Sequence, residues 1–175
     1  MFNHLFLKKI TLFFVISSFF LFSLTSCNDD SVNKKEALVG KFTWTEWQQK
    51  AGWDDYEAAD YIPDSNVIEN LKIIDKEDIR VIIFTSNWCP DCSLQMPRIM
   101  KIFKQIGIDY SVIDIYGLSY DKKEPTNEYL KYEIKWVPTI IILRNNNMEM
   151  GRIVETPEKT LEDDLYYILS LKHED

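Results

Sequence analysis

Trp88-Cys89-Pro90-Asp91-Cys92 constrains this chain more than any other stretch. It comes after the apolar run Val81-Ile82-Ile83-Phe84, which reads as a buried strand, and precedes a helical pattern from Leu94 to Ile106. Two thiols three positions apart at a helix start can face each other and close a small disulfide. A helix N-terminus carries partial positive charge and favours a thiolate at the first cysteine. The thiolate is the attacking species in thiol–disulfide exchange.

Other uses of a CxxC pair fit less well. A structural zinc site needs four ligands. The one further cysteine is Cys27, and the two histidines, His4 and His173, lie near the chain ends. No metal site is therefore expected. A CxxC without redox role remains open, but strand, CxxC and helix in succession form the setting that dithiol chemistry requires.

Residues 1–27 read as a targeting segment. Lys8 and Lys9 form a basic start, Ile10 to Leu24 is an apolar core too short for a comfortable membrane span, and small polar residues come next. Leu24-Thr25-Ser26-Cys27 resembles the lipobox of bacterial lipoproteins. That resemblance implies lipidation of Cys27 and attachment to a membrane of a bacterial cell envelope, facing the periplasm or exterior. Asn28 to Glu36 reads as a polar tether. The chain has 20 basic and 28 acidic residues, and the targeting segment removes lysines but no acids. This balance disfavours a nucleic-acid partner. The chain beyond Cys27 is long enough for one domain, expected as a monomer.

Residues 37–63 are rich in aromatic side chains, including Trp44, Trp47 and Trp53, and read as a helical extension ending before Pro63. Its rings are expected to pack onto the main domain rather than line a groove. Residues 64–175 then alternate: a helix capped by Asp64 or Ser65, a strand over 79–85, a helix over 90–106 containing Pro97, and a strand over 110–116. A short helix over 125–132, a strand over 139–143, a hairpin return over 148–154 and a helix starting at Thr156-Pro157 complete the pattern. This order predicts an α/β fold, a central mixed sheet flanked by helices, with the CxxC at the carboxyl end of a strand.

The chain resembles the thioredoxin superfamily, including its lipoprotein members of the TlpA and ResA type. The resemblance rests on Phe84 to Cys92, on Pro97 five residues after the second cysteine, and on Tyr132-Glu133-Ile134-Lys135-Trp136-Val137-Pro138-Thr139. It implies a cis peptide between Val137 and Pro138, and a loop there that lies against the dithiol and aligns substrate with Val137, Pro138 and Thr139. It implies Cys89 as nucleophile, Cys92 as resolving thiol and Trp88 at the rim, with Glu155 and Thr156 as a third wall. The redox group is then the Cys89–Cys92 disulfide itself, with no other cofactor. The implied partners are protein thiols and disulfides, the membrane through the lipid, and a thiol-reducing transmembrane protein as electron donor.

Some positions depart from the family. Ile83 stands where thioredoxins carry a buried acid, Gln95 where membrane-tethered relatives often carry Glu, and Ser93 where thioredoxins usually carry Lys. Pro90 and Asp91 tune the pair. A carboxylate at Asp91 raises a neighbouring thiol pKa by like-charge repulsion, which favours a reductant. Pro90 weighs weakly toward an oxidant. The expectation is a membrane-anchored reductase or exchanger of disulfides in exported proteins. The alternatives are an oxidant or isomerase of DsbA type, a silent binding module, and a metallochaperone.

Overall fold

The computed structural model describes residues 35–53, 56–144 and 147–171. The targeting segment, the lipidation site Cys27 and tether residues 28–34 lie outside the described residues, as do Asn145 and Asn146 of the expected turn.

Among the described residues, five strands form one mixed sheet. They are β1 (Gly40–Phe42), β2 (Arg80–Thr85), β3 (Ile113–Gly117), β4 (Thr139–Arg144) and β5 (Met148–Val154), in the spatial order β1-β3-β2-β4-β5. β2 and β3 run parallel, and the remaining pairs are antiparallel. The helices among the same residues are α1 (Trp44–Ala51), α2 (Tyr56–Ala59), α3 (Ser65–Ile73), α4 (Pro90–Ile106), α5 (Glu128–Lys131) and α6 (Leu161–Ser170). The predicted mixed α/β sheet is therefore present, as are helices in the N-terminal extension.

Alternation along the strands divides the core. Val81 and Ile83 point to one side with Ile113, Ile115, Ile140 and Ile142. There they meet Ile68 and Leu71 of α3, Met96, Ile99 and Phe103 of α4, and Leu165 and Ile168 of α6. Ile82 and Phe84 point to the other side, where they meet Tyr116, Tyr132, Val137 and both cysteines of the CxxC pair. The dithiol is thus built into the smaller half of the core.

Four elements differ from the sequence reading. The extension contributes a strand as well as helices: β1 pairs Gly40 to Phe42 against Gly117 to Ile115. Three residues are too few for period-2 alternation to be read. Tyr110 to Val112 form a single 3₁₀ turn before β3, because Asp109 accepts from Ser111 N at 2.7 Å. α5 starts at Glu128, since the Glu124 carboxylate takes the Thr126 N–H at 2.6 Å and holds a turn first. α6 starts after Thr160 rather than Thr156. Thr160 Oγ1 caps Asp163 N at 3.1 Å, and Asp164 takes the N–H groups of Glu158 and Lys159.

The extension's tryptophans pack as expected. Trp47 is fully buried, its ring edge-on to Phe42 at 5.3 Å and to Trp53 at 5.6 Å. Thr43 and Glu46 close a capping box on α1, each side chain taking the other's backbone N–H.

Candidate active site

β2 ends at Thr85, and within four residues the chain has turned into α4. Cys89 is the N-cap of that helix, in extended conformation, and Pro90 occupies the first helical position. Proline is tolerated there because the first-turn N–H has no helical partner. The Cys89 sulfur takes the capping role that a hydroxyl or carboxylate usually fills, accepting from Cys92 N at 3.3 Å. Both cysteines are free thiols, Cys89 at 7% exposure and Cys92 at none. The two therefore differ in access, as an attacking and a resolving thiol must.

Their acidities diverge. Hydrogen bonding from the Cys92 thiol lowers the Cys89 pKa to about 7. Burial opposes this shift, the Cys92 backbone N–H reinforces it, and the Asp91 carboxylate opposes it weakly. Asp91 thus acts in the direction expected from sequence but is outweighed by the helix-start donors. Burial pushes the Cys92 thiol far up, and the neighbouring Cys89 adds to that. One thiol is held ready as a thiolate while the other keeps its proton.

Hydroxyl groups lie near Cys92, while Ile83 offers no polar atom there. Ile83 is fully buried among the apolar side chains of α3, α4 and α6. Ser86 Oγ lies 3.9 Å from Cys92 Sγ, both buried. The Thr85 hydroxyl is buried with no partner in ordinary hydrogen-bond geometry, yet it sits where it favours the Cys92 thiolate. Gln95 is also buried, one turn further along α4.

The Val137–Pro138 peptide is cis, as the family resemblance implies. The loop lies against the dithiol: the Cys89 thiol donates to Val137 O at 3.3 Å. Thr139 Oγ1 donates to Trp136 O at 2.7 Å, fixing the turn before β4. Glu155 N donates to Pro138 O at 2.7 Å, so Glu155 does join this loop, through its backbone and in a left-handed conformation. Thr156 instead lines a cavity of about 510 Å³ between β5 and α6, whose walls include neither cysteine.

Trp88 is half-buried at the rim. Its indole N–H donates to Leu118 O at 3.2 Å, and its ring stacks on Tyr120 at 4.8 Å. Trp136 is 53% exposed, with the Lys122 ammonium 4.5 Å from its ring centre. Sequence reasoning passed over Tyr120, Trp136, Ser86 and Asn87 as site residues. Trp136 had a usable signal, a large apolar ring beside the proline loop; Tyr120 sits in a loop with no periodic pattern to mark it. Pro90 and Asp91 are solvent-exposed beside the thiols. Among the described residues no three His, Cys, Asp or Glu side chains gather as metal ligands would.

Comparison with known proteins adds a family to this geometry. The family model described as thioredoxin matches residues 55–165. Thioredoxin 2 of Plasmodium falciparum is 31% identical over 84 residues, covering 48% of this chain and 49% of that one. The chloroplastic thioredoxin M-type of Spinacia oleracea is 26% identical over 115 residues, covering 65% and 61%. This chain thus spans about half to three-fifths of the length of these curated relatives. Among solved structures, oxidised thioredoxin O1 from Arabidopsis thaliana is similar at a TM-score of 0.39 and 21% identity, covering 61% of this chain and 93% of that one. With a family model matched over more than half its length, this chain belongs to the thioredoxin family.

Proposed function

We propose that this protein is a thiol–disulfide oxidoreductase, lipid-anchored through Cys27 to a bacterial envelope membrane, that reduces or exchanges disulfides in exported proteins. One observation carries the redox reading. The Cys89 sulfur caps α4 by accepting from Cys92 N, its thiol donates to Val137 O when protonated, and its pKa is lowered to about 7 beside a fully buried Cys92 thiol whose pKa is raised.

The reaction follows from that arrangement. The Cys89 thiolate attacks one sulfur of a substrate disulfide. A Cys89–substrate S–S bond forms, the substrate S–S bond breaks, and the first substrate sulfur leaves as a thiolate that takes a proton from solvent. Cys92 then loses its proton and attacks Cys89 Sγ. The second substrate sulfur leaves with its electron pair and is protonated. The substrate ends with two thiols and the protein with a Cys89–Cys92 disulfide, two electrons having passed outward. The hydroxyls of Ser86 and Thr85 stabilise the transient Cys92 thiolate, in place of a buried acid. Trp88 and the Val137–Pro138–Thr139 loop hold the substrate chain beside Cys89.

The direction rests on thiolate stabilisation. A Cys89 pKa of about 7 matches thioredoxin, at about 7, rather than the strong oxidant DsbA, at about 3.5. A less stabilised thiolate makes the reduced form a better electron donor. A membrane protein that passes electrons to thiols would recharge the dithiol, and the protein would work as a monomer with no further cofactor.

The test uses two variants of the full chain. Cys92→Ala should accumulate mixed disulfides through Cys89, visible on non-reducing gels and cleared by reductant. Cys89→Ser should give none. Equal trapping by both variants would overturn the assignment. Fatty-acid labelling that disappears in Cys27→Ala tests the lipid anchor separately.

A further inference from the structure

The segment just ahead of β1 is stitched to the rim of the dithiol. The Asn87 side chain, at 7% exposure, donates from Nδ2 to Glu36 O at 2.8 Å and accepts at Oδ1 from Leu38 N at 3.1 Å. One amide thus satisfies two backbone groups of an irregular segment, as a neighbouring strand would. A second stitch lies alongside: the Tyr120 hydroxyl donates to Lys35 O at 2.7 Å. Tyr120 stacks on Trp88, and Trp88 comes directly after Asn87 in sequence. The contacts therefore close a ring: Asn87 to the arm, the arm to Tyr120, Tyr120 to Trp88.

Gly117 shows how closely the arm passes. A Cβ at that position would lie 2.3 Å from Leu38 O and 2.6 Å from the Trp47 ring. Only a residue without a side chain lets the arm run this near β3. Lys35 and Glu36, read from sequence as the end of a polar tether, have their backbone carbonyls held by Tyr120 and Asn87.

We propose that residues 35–38 form a built-in buttress of the substrate platform, and that Asn87 is the positioning residue that holds it. The ligand class is an extended polypeptide flanking a disulfide, whose side chains lie on the Trp88–Tyr120 stack. Asn87 acts through Trp88 and takes no part in bond exchange. The inference rests on the oxidoreductase reading and concerns how protein substrates are told apart from small disulfides.

The test compares insulin with hydroxyethyl disulfide as substrates of the full chain. Asn87→Ala removes both hydrogen bonds to the arm, each equivalent to about fivefold, and should raise KM for insulin about fivefold or more, with kcat within about twofold of the parent. Amide exchange at Leu38 should accelerate in the same variant, since its acceptor is gone. Tyr120→Phe keeps the ring stack and removes only the hydroxyl, so it should shift the insulin KM in the same direction by less. It also decides the matter if Asn87→Ala does not fold. An unchanged insulin KM, or an equal loss with the small disulfide, would overturn the proposal. No turnover of either substrate by the parent protein would overturn the oxidoreductase reading itself, and the Leu38 exchange result would then show whether the stitch alone survives.

Discussion

The two faces of the sheet are built from the same strands and do different work. On one face Val81, Ile83, Ile115, Ile140 and Ile142 meet α3, α4 and α6 through aliphatic, methionine and aromatic side chains. On the other, Ile82, Phe84, Ile141 and Leu143 share their space with two thiols and the rings of Tyr116 and Tyr132. Thr139, two positions before Ile141 on β4, is buried on this face as well. The first face is close-packed apolar surface, the largest favourable contribution to folding. The second buries polar groups, which is tolerated only where each finds a partner, and Tyr132 OH has none in ordinary geometry. One period-2 pattern thus separates stability from chemistry. α4 connects them: Cys92, in its first turn, belongs to the dithiol cluster, and Met96, Ile99 and Phe103, further along the same stripe of the helix, belong to the other.

The strongest test of that separation is Cys89→Ser. It should cut disulfide exchange by about 10³-fold or more, because the nucleophile is lost, and leave the thermal midpoint nearly where it was. Phe103→Ala should do the reverse. It opens a cavity in the fully buried core and should cost about 3–5 kcal/mol in denaturant unfolding. The Cys89 thiol should still titrate near its original value. A large shift in that titration would mean the faces are coupled after all.

Glu162 sharpens the comparison from within the apolar side. It is buried, accepting a short hydrogen bond from the Tyr61 hydroxyl and one from Asp64 N at 2.9 Å, and so ties α6 to the start of α3. Glu162→Ala strands both donors and should cost about 2 kcal/mol, again with no change at the thiols.

Smaller effects belong to the dithiol face. The rate of Cys89 alkylation should rise with pH, reach half its maximum at about 7 and level off well above that, because its pKa is lowered to about 7 and the thiolate is the reactive form. Asp91→Asn removes the carboxylate that opposes this shift, so the midpoint should move further down. An upward move would contradict the like-charge account. Ser86→Ala should have the mildest effect, slowing clearance of the mixed disulfide a few-fold, since a single weak hydrogen bond to sulfur is lost.

Much of this was legible in the sequence, because the residues involved carry strong local signals. The apolar run before Cys89 gives β2, and Pro90 at the first helical position with Gly107 beyond the end brackets α4. Val137-Pro138-Thr139 before a β-branched run marks the loop against the dithiol. What escaped was set by contacts distant in sequence. β1 exists because Gly117 lets the chain come close, and Asn87 matters because it meets Glu36 and Leu38 about fifty positions earlier. α6 starts later than Thr156-Pro157 suggests because two threonines stand four residues apart and the Asp164 carboxylate selects the second as the cap. The reach of Asp91 is limited by the donors at the start of α4, which outweigh it at Cys89 and form only once the helix is in place.

The reduction potential of the Cys89–Cys92 couple tests the central claim most directly, by equilibration against dithiothreitol or glutathione. A dithiol whose thiolate is held at a pKa of about 7 should come to rest at or below about −250 mV, close to thioredoxin. A value between about −120 and −180 mV, the range of strong oxidants and isomerases, or no reversible two-electron couple, would contradict the account.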